Sequence, residues 1–594
     1  MREYDVRLVD LNRHIFEVRC HVPKPKQEQI FSIPSWIPGS YLLREFARHI
    51  VSIYAENEHG LVEVEKLSKN TWACRNPGSR LTVTIEVFAF DASVRGAFLD
   101  GSRGFFNGTC LFLSVGGREH EASQVRLVKP KDPRCKNWLI ATAMSPVNVD
   151  AAGFGTYEVA NYDELIDHPV EISEHSDTCF DAAEVPHRLV ISGFHHTEKK
   201  RLAKDLKLLC EAHIHLFGAP PPFKNYLFLG LAVGNGYGGL EHRASSSLIF
   251  NRDDLPKKGQ IEVSKGYQRF LSLCSHEYFH AWNVKRIKPK AFTPYRLDQR
   301  AHTRLMWVFE GITSYYQDLM LLRSKLITPD EYLVRLGQLL TRVYRSPGRF
   351  KQSLADASFD AWDKLYKPNA NSTNATISYY SKGALVALAL DLTVRKGSSS
   401  TLDQIMQIVW ERFGKNEVGV AEDEFENISQ EVSGLNLTDF FNVGIRGTKD
   451  FPLRELMKEF AIDLQLRQGR YGDTSGLPRK ELDQRLDLGF RVNPSAKGLE
   501  LTEVRHDGPS ERAGLNPGDV LIALGGLRVD QLSLPKQLER FNAGETVSVA
   551  IFRDDELKEF NIMLAEAIED TCVLSFSEQS EGDALHRRKA WIGR

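Results

Sequence analysis

The string His276-Glu277-Tyr278-Phe279-His280 sets two histidines four residues apart, with a glutamate beside the first. Four residues is about one helical turn, so on a helix both imidazoles leave one face and can hold one metal ion together. The surrounding residues favour that helix. Tyr267, Phe270, Leu271, Cys274, Tyr278 and Ala281 supply an apolar face to a run expected from Glu262 to Val284. Glu277 would then stand where a base can take a proton from a metal-activated water. The plainer alternative is a pair of helix histidines, one of them buried and hydrogen-bonded.

A second helical run, Arg300 to Leu322, contains RLMWVFEGITSYYQDL. In it Glu310 is a lone carboxylate among apolar residues, which is costly unless it is paired or binds a metal. Gly311 lowers helix propensity by about 1 kcal/mol, so it is expected to permit close packing against the His276 helix. Two histidines and a glutamate, His276, His280 and Glu310, make a ligand set for one catalytic zinc with a position left open. The alternative is that Glu310 pairs with a buried Arg or Lys.

The rest of the chain is consistent with a soluble multidomain protein. Its 594 residues carry a net charge of −2, so no basic field points to nucleic acid or an anionic membrane. The start, MREYDVRLVD, has no apolar core of a signal peptide, and no apolar run is long enough for a membrane span. Eight scattered cysteines without a CxxC pair read as reduced thiols of a cytoplasmic protein. Short alternating runs such as HIFEVRCHV and RLTVTIEVFAF predict a mostly antiparallel β domain over 1–168. A mixed and then largely helical segment follows over 169–455. A polar linker is expected over 456–482, a compact β-rich module over 483–568 and a poorly ordered polar tail over 569–594.

The glycines of GNGYGG, Gly234 to Gly239, satisfy the spacing of a dinucleotide loop. That loop needs a helix immediately afterwards, and LEHRASSSLIF reads as a strand instead. The better reading is an exposed edge strand on which Gly238 and Gly239 let a peptide backbone approach closely. Glu241 would bind the cationic α-amine at the peptide's end, fixing cleavage one residue in. The plainer alternative is a surface strand carboxylate.

HEYFHAWNVKRIKP, FEGITSYY, PSWIPGSYLLREFARHI (Pro34 to Ile50) and NGYGGLEH together resemble the glycyl-aminopeptidase family of PDZ-containing gluzincin zinc metallopeptidases. The resemblance implies a multidomain α/β fold: a β-rich N-terminal domain, a thermolysin-like catalytic domain with a mostly helical second half, and a C-terminal PDZ domain. It implies one Zn²⁺ per chain and removal of small N-terminal residues. Related aminopeptidases carry Gly-x-Met-Glu-Asn where this chain has Gly-Gly-Leu-Glu-His, a departure at His242 that bears on strict exopeptidase action. Tyr380-Ser381-Lys382-Gly383 resembles the Tyr-x-Lys-Gly string of gluzincin aminopeptidases, which makes Tyr380 the oxyanion donor and leaves Tyr379 as its open neighbour. Asp318 is a candidate for orienting a histidine ligand. GPSERAGLNPGDVLIALGGLRV resembles a PDZ domain, with Leu488, Gly489 and Phe490 in the loop that would cap a peptide's C-terminal carboxylate. The PDZ fold could also serve only to pack against its neighbour. An endopeptidase with PDZ-directed substrates and a peptidase-like PDZ adaptor are the rival readings.

Overall fold

A computed structural model describes residues 2–469, 486–578 and 582–593. The chain divides into two compact units. The first comprises Met1–Ala301, Ser324–Leu326 and Met406–Ala421; the second comprises His302–Arg323, Ile327–Ile405 and Glu422–Arg594. The expected catalytic segment 169–455 is therefore shared between them.

The first unit begins with an eight-stranded sheet, antiparallel except where Arg2–Asp10 pairs in parallel with Ser123–Leu127. Alternating burial along Ile15–Pro23 and Arg80–Phe88 reflects the period-2 pattern of the sequence, with one face on the core. Two four-stranded sheets complete this β-rich part. Val170–Ser173 pairs with Arg103–Phe106 and Leu139–Thr142, so the β layer runs past the expected boundary at 168.

A second layer follows in the same unit. Strands β1 (Ser176–Ala182), β2 (Val185–Ser192), β3 (Tyr226–Val233), β4 (Tyr237–Glu241) and β5 (Ser245–Asn251) form one sheet in the order β1-β2-β3-β5-β4. Helix α1 (Lys199–Phe217) connects β2 to β3 as a parallel crossover. β4 is thus an edge strand, antiparallel to β5, and no helix follows the glycine string. Helix α2 (Lys265–Phe279) starts at Ser264, whose side chain accepts from the Tyr267 N–H.

The second unit contains α3 (Ile312–Arg323), α4 (Pro329–Tyr344) and α5 (Ser381–Gly397). A capping box between Thr328 and Glu331 opens α4. β6 (Ile462–Gln468) lies where a linker was expected. Residues 470–485, which hold the rest of that linker and the expected start of the next module, lie outside the described residues. The PDZ sheet is built on β7 (Phe490–Ser495), β8 (Gly498–Val504), β9 (Val520–Leu524), β10 (Thr546–Arg553) and β11 (Glu556–Met563), in that order. Its core includes Leu499, Leu521, Val549 and Ile562.

The terminal segment corrects the expectation of a polar tail over 569–594. β12 (Glu569–Phe576) pairs antiparallel with β6, and α6 (Asp583–Ile592) buries Trp591 and Ile592. Cys572, Val573 and Leu574 give this stretch an apolar core that its average polarity hides. The Trp591 indole N–H donates to the Tyr315 hydroxyl at 2.9 Å. All eight cysteines are free thiols. No helix among the described residues is long and apolar enough to cross a membrane.

Candidate metallopeptidase site

The last turn of α2 carries His276 and Glu277, and His280 follows just past its end. The two rings face each other edge to face, with centroids 4.7 Å apart and Nε2 atoms 3.1 Å apart. His280 Nδ1 lies 2.6 Å from the Asn283 carbonyl. A carbonyl only accepts, so Nδ1 holds the proton and Nε2 presents its lone pair. A buried lone pair directed at a second imidazole nitrogen suits a shared cation. This is also how metal-ligating histidines are oriented. A tetrahedral zinc with bonds of about 2.0–2.1 Å would separate two nitrogens by about this distance. The donor set therefore fits zinc.

Edge strand β4 brings a second carboxylate, Glu241, to the Glu277 carboxylate of α2. Ligand atoms of Glu241, Glu277 and His280 all lie within 4.8 Å of one another. Gly239 sits directly on the Glu277 carboxylate: a Cβ there would stand 2.0 Å from Oε1. Gly39, from the Pro34–Ile50 segment of the β-rich part, does the same to Glu241. Its φ is +100°, and a Cβ would lie 2.5 Å from Glu241 Oε1. That segment is held by the Trp36 indole N–H on the Arg296 carbonyl at 2.9 Å and by the Ser35 N–H on the Leu297 carbonyl at 2.7 Å. Neither glycine contact is legible in the sequence, because each joins residues far apart in the chain.

Behind Glu241, His242 turns to a buried charge network. Its Nδ1 lies 3.5 Å from Asp167 Oδ1, which the Lys285 ammonium approaches at 2.6 Å. The Arg243 N–H donates to Asp167 Oδ2 at 2.7 Å. Burial alone would raise the Asp167 carboxyl, but Lys285 and His242 hold it well below the usual carboxylate range. Burial lowers the His242 imidazole against the pull of Asp167. The departure from the Gly-x-Met-Glu-Asn string thus falls on a residue engaged with Asp167.

In the second unit, Glu310 lies in a single π-helical turn, Trp307–Gly311, that leads into α3. Such turns re-aim side chains and are frequent at functional sites. Glu310 is 1% exposed. Gly311 packs closely on α5 within this unit: a Cβ there would be 2.6 Å from the Gly383 Cα and 2.9 Å from the Tyr379 carbonyl. Tyr380 is half-buried at the start of α5, its hydroxyl 2.9 Å from that of Tyr366. Tyr379 stacks on it with ring centroids 4.8 Å apart and is fully buried. Burial, then Tyr366 and the Glu310 carboxylate, push the Tyr379 phenol well above its ordinary value. Asp318 Oδ1 accepts from Arg335 at 2.7 Å, and for His280 the orienting partner is the Asn283 carbonyl. A backbone carbonyl leaves no sequence signal.

In the PDZ loop, Leu488 and Phe490 are buried in the module's core and Gly489 has φ +73°. The Gly489 N–H donates to Asp487 Oδ1 at 2.9 Å. The loop thus already holds a carboxylate of its own. A cavity of about 790 Å³ adjoins it, lined in part by Arg342, Arg345, Arg491 and Arg505.

Comparison with known proteins finds family matches over three parts of the chain. The Peptidase M61 N-terminal domain family matches residues 3–174. The M61 glycyl aminopeptidase family matches 269–386, a span that includes His276, Glu277, His280, Glu310 and Tyr380, and the PDZ domain family matches 487–564. A crystal structure of an aminopeptidase N family protein from Idiomarina loihiensis is 38% identical, with a TM-score of 0.96 and 100% coverage of both chains. An M1 zinc metallopeptidase from Deinococcus radiodurans is 12% identical, with a TM-score of 0.48 over 76% of this chain and 94% of that one. Comparison with curated proteins returns no match.

Proposed function

The chain belongs to the M61 glycyl aminopeptidase family of metallopeptidases, and from that premise we propose that it is a zinc-dependent aminopeptidase acting on small N-terminal residues. One observation carries the reading: Glu241, Glu277 and His280 converge within 4.8 Å at an edge strand with glycines at Gly238 and Gly239. An ordinary pair of helix histidines would not explain two acids and an open strand edge at one point.

We assign His276, His280 and Glu310 to one zinc ion. When bound, zinc supplies Lewis acidity to an attacking water and to the scissile carbonyl. Glu277 accepts the water's proton and delivers it to the leaving amine. Glu241 holds the substrate's ammonium group and sets the register at one residue. Gly238 and Gly239 let the peptide backbone lie along β4. Tyr380 donates to the oxygen that gains charge in the transition state. It is the more exposed of the two stacked tyrosines, which supports it over Tyr379. The preference for glycine follows the name of the matched family, and alanine is the next smallest side chain. Leu488, Gly489 and Phe490 are proposed to receive a peptide C-terminus, and the free thiols support a cytoplasmic location.

Glu277→Gln tests the reading. It removes the base and spares the ligands, so zinc should stay while kcat on an alanyl or glycyl substrate falls by about 10²–10⁴. Retention of more than about a tenth of kcat would remove Glu277 from the base role.

A further inference from the structure

Arg95 belongs to none of these assignments, yet it stands on the same strand edge. It lies in the loop 91–96 of the β-rich part, and its Nη2 donates to the Gly239 carbonyl at 3.0 Å. Its Nη1 would be 3.9 Å from a Cβ at Gly238. Nε is buried without a hydrogen-bond partner, and no carboxylate pairs with Arg95 among the described residues. The nearby acid, Asp91, accepts instead from the Ser93 N–H at 2.9 Å.

The loop is held firmly. The buried Asn107 amide donates to the Val94 carbonyl at 2.9 Å and to the Gly96 carbonyl at 3.1 Å, clamping both neighbours of Arg95. A partly buried guanidinium on a fixed loop, bonded to one neutral oxygen, has most of its five N–H groups to offer a ligand. Its natural complement is a carboxylate bound through two parallel hydrogen bonds.

Position says which carboxylate. A strand advances about 3.2–3.4 Å per residue, so Gly239 lies about 7 Å from Glu241 along β4. A peptide whose amine is held at Glu241 and which runs antiparallel to β4 places its second residue beside Gly239. We infer that Arg95 binds the free C-terminal carboxylate of short peptides, so that di- and tripeptides are the substrate class this site takes best. The inference rests on the aminopeptidase reading and on Glu241 as the amine anchor. It makes the β-rich part a contributor to substrate recognition, with Glu241 and Arg95 holding opposite ends of the peptide.

The test compares trialanine as the free acid with trialanine amide, using kcat/KM, in wild type, Arg95→Gln and Arg95→Lys. Alanine p-nitroanilide, which has no carboxylate, reports aminopeptidase activity separately. Wild type should prefer the free acid by at least about 10-fold. Arg95→Gln should bring the acid-to-amide ratio close to one, and Arg95→Lys should keep part of it. A ratio near one in wild type, or one unchanged in Arg95→Gln, overturns the inference. Equal losses on both substrates leave that ratio unchanged and mark Arg95 as structural. If the p-nitroanilide is not cleaved, the aminopeptidase reading is what has failed. Binding of the two trialanines to the Glu277→Gln protein, with and without Arg95→Gln, then decides on Arg95 by the same ratio.

Discussion

Gly239 lies so close to Glu277 that a methyl group on its Cα would stand 2.0 Å from Oε1. No real contact is that short, so Gly239→Ala must displace either the carboxylate or the strand. A displacement of about 1 Å from the productive geometry can cost about 10²-fold. The expected outcome is a fall in kcat of at least about 10-fold with zinc content unchanged, read by steady-state kinetics and metal analysis. Wild-type kcat in Gly239→Ala would show that Glu277 need not sit where the structure places it.

Tyr380→Phe should lower kcat with little change in KM, because the phenol acts in the transition state. Removing one oxyanion donor costs about 2.7–4 kcal/mol. Tyr379→Phe is the control, since that ring is fully buried beneath its neighbour. If Tyr379→Phe carries the loss and Tyr380→Phe does not, the role belongs to the buried tyrosine.

Glu310→Ala should sharply reduce zinc occupancy, as should replacement of His276 or His280. Removing zinc with a chelator should abolish activity, and adding zinc back should restore it in wild type. Full metal content in Glu310→Ala would place the third ligand elsewhere.

His187 couples acid stability to the helix that carries the histidines. Its Nδ1–H donates to the Val185 carbonyl at 2.8 Å, and its Nε2 accepts from the Tyr278 hydroxyl at 2.8 Å. Burial pushes the imidazole down to about 4, from an ordinary value of 6.5. Its folded-state value is depressed, so the unfolded chain binds the extra proton between pH 6.5 and 4. The neutral ring's contribution is complete above 6.5 and is lost as pH falls, by up to about 3 kcal/mol. Denaturation of wild type and His187→Gln should differ most at pH 7.5 and converge toward pH 4. Parallel curves across that range would contradict the assignment.

Much of this site is local in sequence and was therefore legible there. His276, Glu277 and His280 are one helical turn, and Gly238, Gly239 and Glu241 lie on one strand. Glu310 stood out as an acid in an apolar run. What the sequence hid is contact at a distance. Gly39 against Glu241, Arg95 on Gly239 and Asn107 beneath Arg95 join residues with no shared periodicity. Gly311 stands out in the sequence as a packing glycine, and its close neighbour Gly383 lies 72 residues on, with no local signal to join the two. The terminal segment's polar composition hides its order, because it averages over a strand whose apolar residues cluster at Cys572, Val573 and Leu574 and a helix end at Trp591 and Ile592.

The central claim is that cleavage is measured from the peptide's free amine, which Glu241 holds in a site shielded from bulk water. Such a pair should exceed the ~0–1 kcal/mol of a surface salt bridge. The most direct measurement is kcat/KM for one peptide with a free and with an acetylated N-terminus, in wild type and Glu241→Gln. The account predicts that wild type strongly prefers the free amine, and that Glu241→Gln weakens its hydrolysis by at least about 10-fold, or 1.4 kcal/mol, and narrows the preference while zinc content holds. A free-to-acetylated ratio that the substitution leaves unchanged would contradict it and favour an endopeptidase built on the same chemistry.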